Sequence, residues 1–231
     1  MLKIEQLNQY YGQSHTLWNL DLDVPEGECT VLMGRNGVGK TTLLQCIMGL
    51  LPIKSGSLSY AGTELSRVSA ERRAALGIGY VPQGRQIFPL LSVEENLLIG
   101  LPARRDGLRK IPDFIFELFP VLKDMLSRRG GDLSGGQQQQ LAIGRALVTD
   151  PKLLILDEPS EGIQPNIVAD IGSIVRRLNR EMGLTVLLVE QKLPFARKVA
   201  DRFCLMDRGR AVAKGVMPDL NDELIHQYLT V

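Results

Sequence analysis

The sequence is poor in cysteine, in long apolar runs and in net charge, and each scarcity excludes a class of protein. Its 231 residues include three cysteines at uneven spacing and no Cys-x-x-Cys pair, which is typical of buried, reduced thiols and argues against a disulfide framework. No apolar run approaches the ~18 residues that a membrane-spanning helix requires, and the N-terminal segment has no signal-peptide architecture. We therefore expect a cytosolic protein that reaches a membrane only through a partner.

The charge balance argues against nucleic acid as a partner. The formal net charge is +1, and acidic and basic residues are mixed along the chain, so the basic footprint of a DNA- or RNA-binding protein is missing. Hydrophobic residues make up 44% of the chain and charged residues 23%, which is typical of a globular protein with one large domain or two unequal lobes. The two histidines, His15 and His226, stand in no cluster at ligand spacing, which argues against a zinc site.

A glycine-rich segment follows the short apolar run from Thr30 to Met33, and a helical pattern starts directly after it. Its glycines allow positive φ angles and bring backbone N–H groups close to phosphate oxygens at the positive end of the new helix. Lys40 adds charge for the β- and γ-phosphates, and the Thr41 hydroxyl can ligate Mg²⁺. A chance glycine-rich turn is the alternative, which the flanking strand and helix argue against. The predicted nucleotide-binding residues are Gly34, Arg35, Asn36, Gly37, Val38, Gly39, Lys40, Thr41 and Thr42.

Two carboxylates, Asp157 and Glu158, follow a fully apolar strand that starts at Lys152. Carboxylates at the carboxyl end of a strand buried on both faces fit the ligand-binding edge of an open parallel sheet. We predict that Asp157 holds the Mg²⁺ shell and that Glu158 orients and deprotonates the water that attacks the γ-phosphate. Alone, the pair would be read as solvated acids at a strand end; the phosphate loop upstream favours the catalytic interpretation.

Two further side chains have weaker support from the residues themselves. Gln83 follows the predicted strand from Ile78 to Val81, where its amide can reach a metal or an attacking water, although most glutamines in loops are only solvated. Tyr11 precedes the nucleotide loop and is placed to stack on adenine, although an amphipathic tyrosine at a strand end is the more common case. The residues alone leave both alternatives open.

A second anion site is predicted at the start of another helix. Ser134 and the N–H groups after it open a helical run from Gln138 to Val148, and the first turn of a helix binds anions. The preceding residues, 90 to 130, have helical texture that opens with the capping box of Ser92 and Glu95. They read as a helical insertion in an otherwise alternating α/β chain.

Taken together, these segments resemble the ATP-binding subunits of ABC transporters, and the match covers nearly the whole chain. Residues 34 to 42 are similar to the Walker A motif of that family, and Leu153 to Glu158 to the Walker B motif with its catalytic glutamate. Leu133 to Gln137 is similar to the signature motif, which other phosphate-loop families lack. Gln83 matches the family's Q-loop glutamine, and Tyr11 matches the aromatic residue that stacks on adenine.

The resemblance implies an α/β fold of the P-loop NTPase, ABC ATPase type, with a mostly parallel core sheet, a small antiparallel β lobe and a helical lobe. It implies a single ABC ATP-binding domain over residues 1–231. In this division, residues 1–89 and 150–231 form the nucleotide-binding core with the antiparallel lobe, and residues 90–149 form the helical lobe with the signature motif.

The resemblance also implies cofactors and partners. ATP and Mg²⁺ are the implied cofactors, and the implied metal-binding residues are Thr41, Gln83 and Asp157. Two ABC ATPase subunits, identical or paralogous, would face each other head to tail. One nucleotide would then be bound mainly by one chain and touched by four residues of the other: Ser134, Gly135, Gly136 and Gln137. Two membrane-spanning permease subunits and a periplasmic or extracellular solute-binding protein would complete an assembly at the cytoplasmic face of the cell membrane.

Finer details are similar to the branched-chain amino-acid and urea branch of the family, in residues 11–17, 81–89 and 157–165. Urea is the expected solute, with a branched-chain amino acid or a short-chain amide as the alternative. A soluble, non-transport ABC ATPase and a non-catalytic nucleotide-gated scaffold are alternatives from other classes. The single compact cassette argues against the soluble ATPase, and the intact set of Lys40, Asp157 and Glu158 argues against the scaffold.

Two positions depart from the general family pattern. Gln191 stands where most members have a switch histidine after the acid of a core strand, and Gln164 stands where the D-loop usually has an aspartate. A glutamine amide can hydrogen-bond a γ-phosphate or a water, but it lacks the positive charge and the proton mobility of imidazole. We expect Gln191 to act in catalysis with Glu158 and Gln83, at a site that hydrolyses ATP more slowly than one with a histidine.

Overall fold

A computed structural model describes residues 1–229. The strands in this range are β1 (Leu2–Tyr11), β2 (Ser14–Val24), β3 (Cys29–Met33), β4 (Ser55–Tyr60), β5 (Thr63–Glu64), β6 (Ile78–Val81), β7 (Leu153–Asp157), β8 (Thr185–Val189), β9 (Arg202–Asp207) and β10 (Arg210–Val216).

The α-helices of the same residues are α1 (Lys40–Met48), α2 (Ala70–Ala75), α3 (Val93–Leu98), α4 (Asp113–Leu118), α5 (Pro120–Asp124), α6 (Gly135–Val148), α7 (Pro165–Arg180), α8 (Leu193–Val199) and α9 (Asp222–Tyr228). Short 3₁₀ turns occupy Leu101–Ala103, Gly130–Asp132 and Met217–Asp219. Among residues 1–229, no helix combines the length and the apolarity that crossing a membrane would require.

The strands form two sheets of different character. The larger sheet has the order β10-β9-β3-β8-β7-β6, in which β10 pairs antiparallel with β9 and the other neighbours are parallel. The smaller sheet is antiparallel with the order β2-β1-β4-β5. This architecture confirms the predicted α/β fold with a mostly parallel core sheet and a small antiparallel sheet.

The central parallel strands β3, β7 and β8 are buried along their whole length because both faces of the larger sheet are covered. On one face, Leu32 and Ile155 pack with Leu43 of α1 and with residues of the antiparallel sheet. On the other face, Val31 and Leu154 belong to the core that includes α6 and α7. The sheet therefore holds β3, β7 and β8 rigidly side by side, with their carboxyl ends at one edge.

The segment between β6 and α6 is helical, as the sequence predicts. Leu97 of α3, Ile115 of α4 and Leu122 of α5 converge on Gly144 of α6, at 3.3–3.5 Å from where a Cβ on that glycine would lie. The absence of a side chain at Gly144 allows this close approach, so the three short helices pack directly on α6.

The strand boundaries differ from the predicted ones mainly in the antiparallel sheet. β1 continues to Tyr11 and β2 begins at Ser14, whereas the sequence pattern predicts a first strand that ends near Leu7. Register shifts interrupt the pairing of β1 with β2 between Ile4 and Tyr10. These irregularities break the alternation of buried and exposed residues, so the pattern fails where the strand continues.

Candidate functional site

A cleft of about 680 Å³ lies at the carboxyl edge of the larger sheet. Parallel α/β sheets bind ligands at this edge, where the strands feed into loops. Nine of the residues predicted from the sequence line it, and their side chains or main-chain atoms face the same space: Asn36, Gly37, Gly39, Lys40, Thr41, Thr42, Gln83, Glu158 and Gln191.

The phosphate loop between β3 and α1 depends on glycine at two points. Gly34 has a φ of +155°, and a Cβ there would lie 2.4 Å from the main-chain oxygen of Met206. Gly39 has a φ of +106° and caps α1, and a Cβ there would lie 2.9 Å from Leu17. Both positions therefore need glycine for conformation and for space.

Lys40 is buried at the first turn of α1. Its ammonium group donates hydrogen bonds to the main-chain oxygens of Gly34, at 2.7 Å, and Arg35, at 3.0 Å. Burial lowers the pKa of Lys40, and the negative charges of Glu158, Asp157 and Glu190 oppose that shift. The cluster of acids therefore keeps a buried cation in the loop where phosphate is predicted to bind.

Asp157 ends β7 with a side chain that is only 2% exposed. Burial, and after it the negative charge of Glu158, raises its pKa to about 6, and the positive charge of Lys40 opposes this shift. Its Oδ2 atom has no hydrogen-bond partner among the described residues. Buried carboxylate oxygens are normally satisfied, so this one is available to a cation or to water in a cation's shell.

Glu158, Gln191 and Asn36 form a hydrogen-bonded group at the floor of the cleft. The Nε2 atom of Gln191 donates to Oε1 of Glu158 at 2.6 Å and to Oδ1 of Asn36 at 2.7 Å. The same Oε1 atom lies 3.8 Å from the ammonium nitrogen of Lys40. The residue at the switch position thus contacts both the predicted base and the phosphate loop.

Two of the predicted side chains hold other partners in this structure. The amide of Gln83 donates to Oε2 of Glu161 at 2.9 Å, and the hydroxyl of Tyr11 donates to Oε1 of Gln45 at 3.2 Å. Tyr11 is 48% exposed and is not among the residues that line the cleft. Stacking of Tyr11 on adenine and metal contact by Gln83 therefore stay predictions.

The signature segment lies outside the cleft of its own chain: Ser134, Gly135, Gly136 and Gln137 are absent from the cleft lining in the described range. Ser134 caps α6, and its side chain and that of Gln137 form a capping box. The N–H groups of Gly135 and Gly136 fall in the first turn, where a helix offers no internal acceptor. This leaves a short row of donors at residues that do not line the chain's own cleft.

Several cleft residues escape prediction from the sequence. The wall includes Thr16, Ser160, Glu161, Gly162, Glu190 and Lys192. Glu190 is 2% exposed, and its Oε1 atom accepts the N–H groups of Gln191 and Lys192. Its position beside Gln191 at the end of an apolar strand was an available signal. No local pattern marks Glu161 or Thr16, because tertiary packing alone brings them to the cleft.

The chain matches a known protein family and has similar relatives in other organisms. Residues 17–161 match the family model described as ABC transporter. The high-affinity branched-chain amino acid transport ATP-binding protein BraG of Pseudomonas aeruginosa is 44% identical over 213 residues, covering 92% of this chain and 91% of that protein. The probable branched-chain amino acid transport ATP-binding protein LivF of Archaeoglobus fulgidus is 35% identical over 221 residues, covering 95% and 94%.

The solved structures agree with the sequence relatives. A dimeric bacterial ABC transporter cassette superposes with a TM-score of 0.85 at 26% identity, covering 94% of this chain and 99% of that one. The family model, the sequence relatives and the fold lead to the same assignment. This chain belongs to the ABC transporter family, as an ATP-binding subunit and an ATPase.

Proposed function

We propose that this chain couples the binding and hydrolysis of Mg-ATP to the import of a small polar solute, as one of two ATPases beneath a membrane channel. The observation that carries the proposal is that Lys40, Glu158 and Gln191 line the same cleft, where Glu158 contacts both of the other side chains. The relatives named for transport support the coupling to import.

Mg²⁺ is the metal proposed for this cleft. Its proposed ligands, directly or through water, are the Thr41 hydroxyl, the Asp157 carboxylate and the Gln83 amide, which are the hard oxygen donors that Mg²⁺ prefers. The unpartnered Oδ2 atom of Asp157 fits this assignment. When bound, the ion would offset negative charge on the β- and γ-phosphates of ATP.

The chain's own residues are proposed to do the rest of the chemistry. Lys40 exchanges its contacts with Gly34 and Arg35 for phosphate oxygens, at little cost because all of these partners accept hydrogen bonds from an ammonium group. Glu158 takes a proton from the attacking water. The Gln191 amide donates a hydrogen bond to that carboxylate at 2.6 Å and holds Glu158 in place. It does not transfer a proton to Glu158.

The signature segment is proposed to serve a second chain. Because Ser134 to Gln137 lie outside the cleft that Lys40 lines, their N–H groups and hydroxyl are available to a nucleotide held by a partner ATPase subunit. ATP then joins two subunits, and hydrolysis lets them separate. The proposed domain division, with a core of 1–89 and 150–231 and a helical lobe of 90–149, places this segment on the lobe.

An exposed apolar surface follows the Gln83 loop and is proposed to dock against a permease subunit at the cytoplasmic face of the membrane. Leu90 is 80% exposed, and Phe88, Leu98 and Ile99 are between 38% and 45% exposed. Contiguous apolar side chains on a surface mark interaction sites. The complete transporter is proposed to contain two permeases and an external solute-binding protein.

The solute is chosen by those other subunits. The sequence segments 11–17, 81–89 and 157–165 make urea the first solute to test. The relatives BraG and LivF are named for branched-chain amino acids, which favours these amino acids as the second candidate. A soluble, non-transport ATPase is the alternative from another class; the near-complete mutual coverage with single-cassette transport relatives argues against it.

Coexpression with candidate permeases tests this proposal. The chain should sediment with membranes when its permeases are present and stay in the supernatant when they are absent. In proteoliposomes with the loaded solute-binding protein, ATP hydrolysis should increase with urea or with a branched-chain amino acid. A rate of ATP hydrolysis that is the same with and without permeases and solutes would favour a soluble, non-transport ATPase.

A further inference from the structure

Arg85 lies in the loop after β6, between the wall of the cleft and the first turn of α6. One of its guanidinium nitrogens, Nη1, lies 3.2 Å from Oε1 of Gln138. The other, Nη2, lies 3.4 Å from the main-chain oxygen of Gly162 and 3.5 Å from that of Glu161. One side chain therefore connects two parts of the molecule that are distant in sequence.

The loop around Arg85 also has hydrogen bonds to the cleft wall and to α6. On the cleft side, the amide of Gln83 donates to Glu161 at 2.9 Å. On the helical side, Arg145 of α6 donates to the main-chain oxygen of Gln86 at 2.8 Å and lies over the ring of Phe88. These bonds leave the loop little freedom of its own, so a displacement of the cleft wall is transmitted to α6.

The fit of Arg85 against α6 depends on Gly135. A Cβ at Gly135 would lie 3.2–3.5 Å from three atoms of the guanidinium group, which is tighter than an ordinary contact. The backbone of Arg85 has a φ of +68°, a conformation that costs free energy for a residue with a side chain. The acceptors of its hydrogen bonds are neutral oxygens at long distances, so they can be exchanged readily.

We propose that Arg85 is a positioning residue, which sets the first turn of α6 according to the state of the ATP cleft. The inference rests on the proposed function, because Glu161 and Gly162 line the cleft and the first turn of α6 is the segment offered to a partner subunit. Binding of ATP moves the turn at 161–162, and Arg85 carries this movement to Ser134 and Gly135 through Gln138.

Hydrogen exchange on the full chain tests the inference, at a concentration at which light scattering shows a monomer. Mg-ATP should slow exchange at the cradle, residues 37–42, and change it at the first turn of α6, residues 135–139. Arg85→Met should keep the response of the cradle and lose most of the response at α6, a reduction of about fivefold or more in the change of exchange rate. Arg109→Met, at an exposed arginine of the helical lobe, is the matched control and should behave as the wild type.

A second pair of variants separates positioning from a general loss of structure. Gln138→Glu keeps an acceptor for Arg85 and should transmit the response, whereas Gln138→Met removes it and should not. Both variants lose the donor bonds of Gln138 to Gly130 and Leu133, so they differ in charge and in the acceptor that they offer to Arg85. An unchanged α6 response in Arg85→Met, or no α6 response in a wild-type chain with a protected cradle, would overturn the inference. A cradle without protection would instead contradict ATP binding itself.

Discussion

Glu158 Oε1 lies 2.6 Å from Gln191 Nε2 and 3.8 Å from Lys40 Nζ, so the predicted base, its amide partner and the phosphate-binding ammonium form one cluster. Replacing Glu158 by glutamine keeps the shape and removes the proton acceptor. We expect Glu158→Gln to bind ATP normally and to lose at least ~10³-fold in hydrolysis. Single-turnover hydrolysis and titration with a fluorescent ATP analogue measure the two properties separately.

Lys40→Ala is the contrasting variant, since it removes a phosphate contact and leaves the base. It should weaken nucleotide affinity in the same titration, while Glu158→Gln should not. Near-normal turnover of the Glu158→Gln protein would refute the assignment of Glu158 as the base.

Gln191 supplies a neutral amide at a position where imidazole would bring charge and a mobile proton. Because the Gln191 side chain already contacts both Glu158 and Asn36, a histidine there would reach the same groups. We expect Gln191→His to raise turnover of the assembled transporter about threefold or more. The measurement is steady-state hydrolysis with permeases present, and an unchanged or lower rate would count against the role given to this residue.

Asp157 is proposed to bind Mg²⁺, and its buried charge destabilises the unliganded fold. Its pKa is raised to about 6, above the value of about 4 for an unfolded chain, so the folded state disfavours the ionised carboxylate. The resulting loss of stability is absent below about pH 4, grows between about pH 4 and 6, and is fully present at higher pH.

Asp157→Asn should therefore stabilise the nucleotide-free protein at pH 7, by about 1–3 kcal/mol, while it lowers Mg-dependent hydrolysis. Thermal unfolding in EDTA at pH 7 and at pH 4.5 checks the sign. The gain in melting temperature should shrink at the lower pH, because protonation removes the buried charge from the wild type. An equal or lower melting temperature at pH 7 would show that the buried charge costs nothing.

At the scale of the elements, the C-terminal end of α1 is bound by the Arg73 side chain of α2. The buried guanidinium of Arg73 donates to the main-chain oxygens of Cys46 and Ile47 at the end of α1, and to those of Leu65 and Val68. A helix leaves its last carbonyl groups without internal donors, and a cation at that end also complements the helix dipole. Arg73 thereby fixes the far end of the helix that begins at the phosphate loop.

Arg73→Ala should lower the free energy of unfolding by about 3 kcal/mol, because it removes the side-chain donor from the main-chain oxygens of Ile47 and Val68. The oxygens of Cys46 and Leu65 keep main-chain donors. Chemical denaturation measures the change. Arg72→Ala, at the exposed neighbouring position of the same helix, is the control and should change stability by less than about 0.5 kcal/mol. Equal effects of the two variants would contradict the stabilising role given to the hydrogen bonds of Arg73.

Elements with a strong local signal could be predicted from the sequence to the residue. The sequence predicts strands from Ile78 to Val81 and from Thr185 to Val189 and a helix from Asp222 to Tyr228, and β6, β8 and α9 have these bounds. The predicted capping box of Ser92 and Glu95 is present. β1 could not be predicted beyond Leu7, because its register shifts disturb the alternation of apolar and polar residues.

For the site, the sequence could predict residues that belong to a local motif. It could not predict residues that reach the site only through tertiary packing. The phosphate loop and the acidic pair are local motifs, and the structure places Lys40 and Glu158 in one cleft. The contacts of Gln83 with Glu161 and of Arg85 with Gln138 join residues 78 and 53 positions apart. No periodicity or spacing within one segment contains that information.

On the scale of the whole molecule, we propose that the chain has two half-sites that bind different nucleotides. The cleft of this chain contains the predicted phosphate-binding and catalytic groups, and Ser134 to Gln137 lie outside its lining. The dimeric cassette with the same fold is a solved example of two such chains together. The proposed transporter therefore needs a second ATPase subunit, identical or paralogous, to complete each site.

The most direct test is a structure of the Glu158→Gln chain with Mg-ATP in its assembled transporter. We predict that Lys40 of this chain contacts one ATP, while Ser134 of the same chain contacts a second ATP held by its partner. A single ATP that touches both Lys40 and Ser134 of one chain would contradict the account.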